Sequence, residues 1–283
     1  MSVKRALETA VAIASERRAW RPSPVAGSSI LLHAAAVATV LAQPALWPWA
    51  LGAVAGNHLL LTAAVFWPRS RVLGANLTRL PAPAAGRREV SITFDDGPDP
   101  EVTPRVLDLL ERHHAKASFF CVGEKAAAHP GIVREIARRG HAVENHSHRH
   151  SPAFACYGIF RLQRDVETAQ SILHGITGRA PQFFRAPMGL RSPLLDPVLA
   201  WCGLHYVSWT RRGLDSVHRD PEKVLERLSR GLAAGDILLL HDNGHARTRD
   251  GTPVALAVLP GLLDRIRAEG LRPVTLTAAT DGA

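Results

Sequence analysis

Two groups of residues in this 283-residue chain have types and spacing that fit metal-assisted hydrolysis. Asp95 and Asp96 are adjacent, so one carboxylate could bind a cation while the other takes a proton from water. His146 and His150 are four residues apart, and one helical turn would place both rings on one face. Together with one Asp they form a three-ligand set with open positions, which suits zinc, iron, cobalt, nickel or manganese.

Each group also has a purely structural interpretation. An Asp-Gly sequence is common in turns, and a His-rich segment is often a solvated loop. The hydrolytic interpretation is favoured because further polar residues, Arg185, Asp215 and His241, also follow predicted strands. Ionisable residues after five strands, at corresponding places, predict one shared site.

The elements that position these residues alternate between strand and helix after Arg88. Short apolar runs predict strands, and longer segments with one apolar face predict helices. The predicted strands cover 90–94, 117–122, 142–145, 183–184, 206–209, 237–240 and 274–276. The predicted helices are one capped by Thr103 with Pro104 at its first position, and those over 130–140, 159–175, 194–202, 221–232 and 254–269.

This alternation predicts an α/β fold with parallel strands and crossover helices. About seven strands favour a distorted (β/α) barrel slightly short of eight units. A doubly wound open sheet is the alternative, but no glycine-rich nucleotide loop follows a strand. In a parallel barrel the strand ends form the carboxy-terminal rim, where active sites lie.

Five segments resemble, in order, the motifs of the polysaccharide deacetylases, also called the NodB-homology domain or carbohydrate esterase family 4. The segments are TFDDG at 93–97, HSHRH at 146–150, RAPMG at 185–189, 209–215, and LLH at 239–241. The resemblance covers about residues 89–280. It implies a distorted barrel and a hydrolase acting on carbon–nitrogen bonds other than peptide bonds.

By this resemblance Asp95 is the general base, and Asp96, His146 and His150 bind one divalent ion. Zinc is favoured, with Co²⁺, Ni²⁺, Mn²⁺ and Fe²⁺ as alternatives. His241 would protonate the leaving amine, which is a poor leaving group without a proton.

Two auxiliary roles follow from the same resemblance. Arg185 would orient the base, although a surface ion pair is the alternative. Asp215 would hold His241 in its charged form. The family commonly has a second Asp and a Trp just after this position, whereas Ser216 and Val217 follow here.

The resemblance also implies substrate contacts at Pro187, Met188, Trp209 and Leu239, with a backbone N–H near Met188 helping to stabilise an oxyanion. Met188 stands where the family commonly has Tyr, and Trp209 could equally belong to the barrel core. The implied function is removal of an acyl group, above all acetyl, from an amino sugar. The substrate would be a cell-envelope polysaccharide or a lipid-linked sugar. The alternatives are an O-acetyl carbohydrate esterase and a catalytically silent membrane-bound carbohydrate-binding protein.

The net charge of +9 comes almost entirely from the amino-terminal third. Residues 1–88 hold ten Lys and Arg but only two acidic residues, so the remainder is nearly neutral. This distribution gives little support to a nucleic-acid partner, and none is predicted.

Residues 22–68 contain no Asp, Glu, Lys or Arg, and include apolar runs at 30–42 and 49–66. We expect a basic leader (1–27), a membrane hairpin (28–68), a linker (69–88) and the deacetylase domain (89–280). A cleaved signal peptide, a re-entrant hairpin and a buried soluble helix pair are the alternatives. Basic residues flank the hairpin on both sides, which predicts both ends on the cytoplasmic face of a bacterial inner membrane. A single span would instead place the domain outside.

Overall fold

A helical hairpin precedes the barrel in the computed structural model, which describes residues 18–244 and 246–281. The hairpin consists of helix α1 (Pro24–Ala42), a 3₁₀ turn (Pro44–Leu46) and helix α2 (Trp47–Val65). The first helix begins well before the apolar run at 30–42, because the Ser23 hydroxyl caps it by accepting the N–H of Ala26. Both segments are long and apolar enough to cross a membrane. Most of the predicted basic leader lies outside the described residues.

The two hairpin helices contact each other through polar side chains. The amide of Asn57 donates to the hydroxyl of Ser29 at 2.9 Å. The rings of His33 and His58 approach with their Nε2 atoms 3.3 Å apart. Apart from these groups the two helices expose apolar side chains along their length.

The domain after the hairpin is built on short parallel strands. They are β1 (Glu89–Asp95), β2 (Ala117–Cys121), β3 (Ala142–Asn145), β4 (Phe183–Phe184), β5 (His205–Tyr206), β6 (Arg211–Arg212) and β7 (Ile237–His241). In the described part of the chain their spatial order is β5-β4-β3-β2-β1-β7-β6, and no pairing joins the two end strands. The sheet therefore curls into an open barrel of seven parallel strands, which confirms the predicted fold class. An eighth short strand, β8 (Arg272–Pro273), pairs with β1.

Helices cover the outside of this sheet. They are α3 (Ala82–Gly86), α4 (Thr103–Arg112), α5 (Gly123–Ala128), α6 (Pro130–Arg138), α7 (Ile159–Thr177), α8 (Leu195–Trp201), α9 (Pro221–Ser229), α10 (Val254–Ala268) and α11 (Leu276–Thr280). Strands β1, β2 and β7 are buried along their whole length, which explains their continuous apolar sequences. The main core lies between these strands and α4, α6, α9 and α10.

Three predicted elements differ from the structure. The closing strand predicted at 274–276 is not observed, because the pairing with β1 occurs at Arg272–Pro273. Thr275 instead caps α11 by accepting the N–H of Ala278, so Leu276 is helical. The strand predicted over 206–209 pairs only at His205–Tyr206, and Trp209 turns into the core. Helix α4 also begins at Thr103 rather than after it, following a turn in which Asp99 accepts backbone N–H groups.

The segment at 69–88, predicted as a linker, packs against the barrel. Leu73, Leu80 and Ala84 are buried there. Leu77 forms a parallel bridge with Val207, extending the sheet beyond β5. This segment therefore fixes the hairpin to the barrel.

Candidate active site

The polar residues singled out from the sequence lie at the carboxyl ends of neighbouring strands. Asp95 ends β1 and Asp96 follows it, while His241 ends β7, the next strand in the sheet. The other residues follow strands on either side: His146 and His150 follow β3, Arg185 follows β4, and Asp215 follows β6. Sheet order thus brings together residues far apart in the chain.

Asp96, His146 and His150 converge on one point. The Nε2 atoms of the two rings lie 3.2 Å and 2.9 Å from Oδ1 of Asp96. Among the described residues these three form the group of His, Cys and acidic side chains whose ligand atoms are close enough to hold a metal ion. Burial raises the pKa of Asp96, but the hydrogen bonds and charge of the two histidines outweigh burial and hold this pKa well below its usual range.

The surroundings of His146 fit a metal ligand. Its Nδ1 lies 2.8 Å from the backbone carbonyl of Arg185 and can donate to it, so Nε2 is the nitrogen that would offer its lone pair to a bound ion. Histidine ligands commonly have this second hydrogen bond, which fixes both tautomer and ring orientation. The donor set of two imidazoles and a carboxylate, with Nε2 oriented in this way, therefore fits a divalent ion such as zinc.

The loop that carries the two histidines is not the helical turn expected from their spacing. Ser147 and His150 have φ of 65° and 49°, and Asp96 opposite has φ of 74°. Each left-handed non-glycine residue costs about 1–2 kcal/mol. The loop is held by Asn145, whose side chain accepts the N–H of Ser147, and by the Ser147 hydroxyl, which accepts the N–H of His150. Convergence thus results from strained loop backbone rather than from helical periodicity.

His148, which lies between His146 and His150 in the chain, makes contacts away from Asp96. Its backbone N–H donates to Asp165 on α7 at 2.8 Å, and its ring lies against Gly123. These contacts separate His148 from the pair His146 and His150, in agreement with the selection of that pair by its four-residue spacing.

Arg185 is buried beside Asp95, which excludes the surface ion pair considered as an alternative. Its Nη1 donates to Asp95 Oδ1 at 2.7 Å and to the Thr93 hydroxyl at 2.8 Å. Its Nη2 donates to the carbonyl of Ser208 at 2.9 Å, and its guanidinium lies over the ring of Phe120. These fixed contacts hold one oxygen of Asp95 in place.

His241 and Asp215 form a second buried pair. The ring Nδ1 lies 2.9 Å from Asp215 Oδ1, and the backbone N–H of His241 donates to Oδ2 at 2.8 Å. Burial lowers the pKa of His241, but the attraction and hydrogen bond of Asp215 outweigh burial and raise the pKa to about 9. Since Nδ1 faces Asp215, Nε2 is the nitrogen available to a substrate.

The four predicted substrate contacts differ in exposure. Met188 is 56% exposed with φ of 58°, in the 3₁₀ turn Pro187–Gly189. Pro187 and Leu239 are buried, and Leu239 packs with Trp209 in a core cluster of the barrel. Trp209 thus packs in the barrel core. Contacts from Pro187, Met188, Trp209 and Leu239 to a substrate stay predictions.

Several residues near the site were not assigned a role from the sequence. Thr93 and Ser208 bind Arg185, and the side chain of Asn76 accepts the Ser208 hydroxyl at 3.0 Å. Asp242 accepts the Thr103 hydroxyl at 2.6 Å, and burial raises its pKa to about 7. The position of Asp242 directly after β7 indicates from sequence alone that it lies near the site. Nothing in the sequence distinguishes Asn76 from other polar residues.

Comparison with known proteins identifies the family of the barrel. The family model for polysaccharide deacetylase matches residues 82–207. A chitooligosaccharide deacetylase of Sinorhizobium fredii is 33% identical over 199 residues, which is 67% of this chain and 92% of the relative. The chain belongs to the polysaccharide deacetylase family. A peptidoglycan-N-acetylglucosamine deacetylase of Bacillus cereus is 31% identical over 196 residues, 66% of this chain and 86% of that one.

Solved structures of this family share the fold. A family 4 carbohydrate esterase from Streptomyces lividans superposes with a TM-score of 0.59 at 30% identity, covering 65% of this chain and 91% of the esterase. A family 4 pseudoenzyme from Bacillus anthracis superposes with a TM-score of 0.64 at 20% identity, covering 72% of this chain and 68% of the pseudoenzyme. The predicted activity class, hydrolysis of amide bonds other than peptide bonds, is confirmed by family membership. Since the fold also occurs in a pseudoenzyme, the residues of the site must carry any argument about mechanism.

Proposed function

We propose that this polysaccharide deacetylase family member is a metal-dependent N-deacetylase that removes acetyl groups from an amino sugar of the cell envelope. The observation that carries the proposal is that a metal-capable triad, Asp96, His146 and His150, lies beside a carboxylate and a histidine that end the adjacent strands β1 and β7. The names of the relatives, which act on N-acetylglucosamine polymers, support the same substrate class.

Asp96, His146 and His150 would hold the ion, with zinc favoured by the ligand set. A divalent ion there supplies polarisation of the acyl carbonyl and a lowered pKa for bound water. Asp95 has a complementary role, because Arg185 occupies its Oδ1 and leaves Oδ2 to accept a proton from the attacking water. The backbone N–H of Met188 would help to stabilise the oxyanion, because Pro187 has no N–H and the N–H of Gly189 donates to the carbonyl of Ala186.

The pair of His241 and Asp215 supports an amide rather than an ester substrate. An amine leaves only after protonation, whereas an alcohol needs less help. The carboxylate of Asp215 keeps His241 protonated well above neutral pH, which provides the acid for an amine. An O-acetyl esterase would not need this buried pair, and a silent binding protein would need neither the pair nor the triad.

We also propose that the hairpin of α1 and α2 anchors the enzyme in a bacterial inner membrane. The two helices have mean hydropathy of 1.9 and 1.2, and at most 6% of their apolar windows is buried. A core helix pair of a soluble domain would be covered by other elements, and these helices are not. A signal sequence would account for one of the helices but not for both.

The proposal is tested with full-length protein in detergent, depleted of metal with a chelator and reloaded with Zn²⁺. We expect acetate release from an N-acetylglucosamine oligomer in the reloaded sample and not in the depleted one. An O-acetylated xylan serves as the ester substrate in parallel. Faster hydrolysis of the ester, unaffected by His241→Ala, would favour the esterase alternative. Binding of the oligomer without release of acetate would favour the silent one.

A further inference from the structure

Trp201 (45% exposed) ends α8 at the opposite end of the barrel, but most of the barrel's exposed large apolar side chains lie at the end that carries the active site. They are Phe160 (81% exposed), Val217 (68%), Met188 (56%), Leu194 (45%) and Ile159 (38%). Each follows the carboxyl end of a strand: Ile159 and Phe160 open α7 after β3, Met188 and Leu194 follow β4, and Val217 follows β6. Strand direction therefore places all five at the rim, and exposed apolar residues gathered on one face indicate an interface.

The hairpin is attached at this same end. Pro68, just after α2, packs so closely on Gly189 that a Cβ there would lie 3.2 Å from its ring. Gly189 is part of the rim turn that carries Met188. At the other end of the hairpin, Trp20 donates to Asp196 in the first turn of α8, again beside a rim loop.

The two ends of the hairpin are also fixed to each other. The Ser23 hydroxyl, which caps α1, donates to the carbonyl of Val72 at 2.8 Å. Arg21, Arg69 and Arg71 are exposed at this base, and Trp67 is exposed beside them. Arginine and tryptophan next to a spanning helix suit the headgroup layer, where cations meet lipid phosphates. The base of the hairpin, and with it the rim, thus has the chemistry of a membrane interface.

We propose that the carboxy-terminal rim of the barrel lies on the lipid bilayer that holds the hairpin, with Phe160 and Val217 immersed in its interface. The active site then opens toward the membrane, and its substrate is an acylated amino sugar carried on a lipid. This inference rests on the proposed deacetylase function and membrane anchor, and narrows the substrate from envelope sugars in general to membrane-borne ones.

The contact with lipid is tested by spin labels on full-length protein in nanodiscs of phosphatidylcholine and phosphatidylglycerol. Cys156 is exposed, so the label positions are introduced into a Cys156→Ser background. Labels are placed at Phe160→Cys and Val217→Cys on the rim. Arg138→Cys, at the carboxyl end of α6 and so at the opposite end of the barrel, is the matched control.

We expect labels at 160 and 217 to collide with lipid-soluble oxygen more than with a water-soluble nickel chelate, and the label at 138 to show the reverse. Equal exposure of all three labels to the aqueous quencher would overturn the proposal. The spin-label measurement needs no catalysis. A negative result there would leave the deacetylase assignment intact, and an inactive enzyme would leave the spin-label result intact.

Catalysis provides the second test. Phe160→Ser is compared with unchanged protein on a soluble N-acetylglucosamine oligomer and on a synthetic N-acetylglucosaminyl glycolipid in vesicles of the same lipids. We expect an unchanged rate on the oligomer and a loss of about tenfold on the glycolipid, the order expected for removing one aromatic side chain from an apolar phase. Equal losses on both substrates would mean that Phe160 contacts the sugar, and would refute a lipid contact.

Discussion

His241 and Asp215 hold a proton inside a buried site, and this pair determines the pH range in which the site has an acid. The ring is protonated below its raised pKa of about 9, so the acid is present at neutral pH and is lost as the pH rises through that value. We expect kcat/KM on a soluble oligomer to stay level toward pH 9 on the alkaline side and to fall above it.

Asp215→Asn removes the largest attraction but keeps the burial, so the alkaline limb should move down from about 9 toward the ordinary histidine pKa of 6.5. The pH profiles of the two proteins check this shift. Asp264→Asn is the control, since Asp264 is exposed on α10. Identical pH profiles for Asp215→Asn and the unchanged protein would show that Asp215 does not raise the pKa of His241.

Substitutions of Asp95 and His146 distinguish the proposed base from the proposed metal site, although the two residues lie close together. His146→Ala removes a ligand, so we expect loss of both bound metal and activity. Asp95→Asn keeps the three ligands but cannot accept a proton, so metal content should stay stoichiometric while the rate falls by ~10²–10⁴-fold. Elemental analysis and acetate release check the pair. Full metal occupancy in His146→Ala, or a near-normal rate in Asp95→Asn, would contradict the assignment concerned.

A chain of hydrogen bonds links the segment that follows the hairpin to Asp95. Asn76 donates to the carbonyls of Pro68 and Ser70 at 2.9 Å and 3.0 Å and accepts the Ser208 hydroxyl. The carbonyl of Ser208 in turn accepts from Arg185, which holds Asp95. The end of the hairpin is therefore linked to Asp95, the proposed base, through buried side chains.

Asn76→Ala should lower kcat several-fold with little change in KM, because Arg185 loses part of its support while the rim stays intact. Loss of buried hydrogen bonds should also reduce the free energy of unfolding by about 1–3 kcal/mol. Steady-state kinetics and thermal unfolding check both effects. Ser70→Ala is the matched control, since Ser70 binds Asn76 through its backbone carbonyl. Equal changes in both variants would mean a purely structural role.

The elements that sequence patterns predicted well are those buried on both faces. Strands β1, β2 and β7 must be apolar throughout, so their runs were visible, and their carboxyl ends located Asp95, Asp96 and His241. Two-residue strands such as β6 and β8 have no periodicity to detect. Sequence patterns also did not predict the loop geometry, because the two histidines converge through left-handed residues. Asn76 resembles any other polar residue of the predicted linker. Such features depend on tertiary contacts rather than on local propensity.

The charge distribution of the whole molecule bears on which side of the membrane the barrel occupies. Residues 1–88 hold ten Lys and Arg, and none lies between the two hairpin helices. By the positive-inside rule we expect both hairpin ends, and the attached barrel, on the cytoplasmic side. Two helices long enough to span are consistent with an even number of crossings. A cytoplasmic barrel with its rim on the bilayer would act on a lipid-linked precursor at the inner leaflet.

Reporter fusions at the carboxy terminus of the full chain test this topology. We expect the fusion to green fluorescent protein to fluoresce and the fusion to alkaline phosphatase to be inactive. The control is a fusion after residue 43, within the turn between the helices, which should give the opposite pair of signals. Active phosphatase at the carboxy terminus would mean a single span and an outward barrel, and the substrate would then be a lipid-linked sugar or wall polymer at the outer leaflet. A full-length protein in the soluble fraction would contradict the anchor and the rim contact together, because both depend on the hairpin entering lipid.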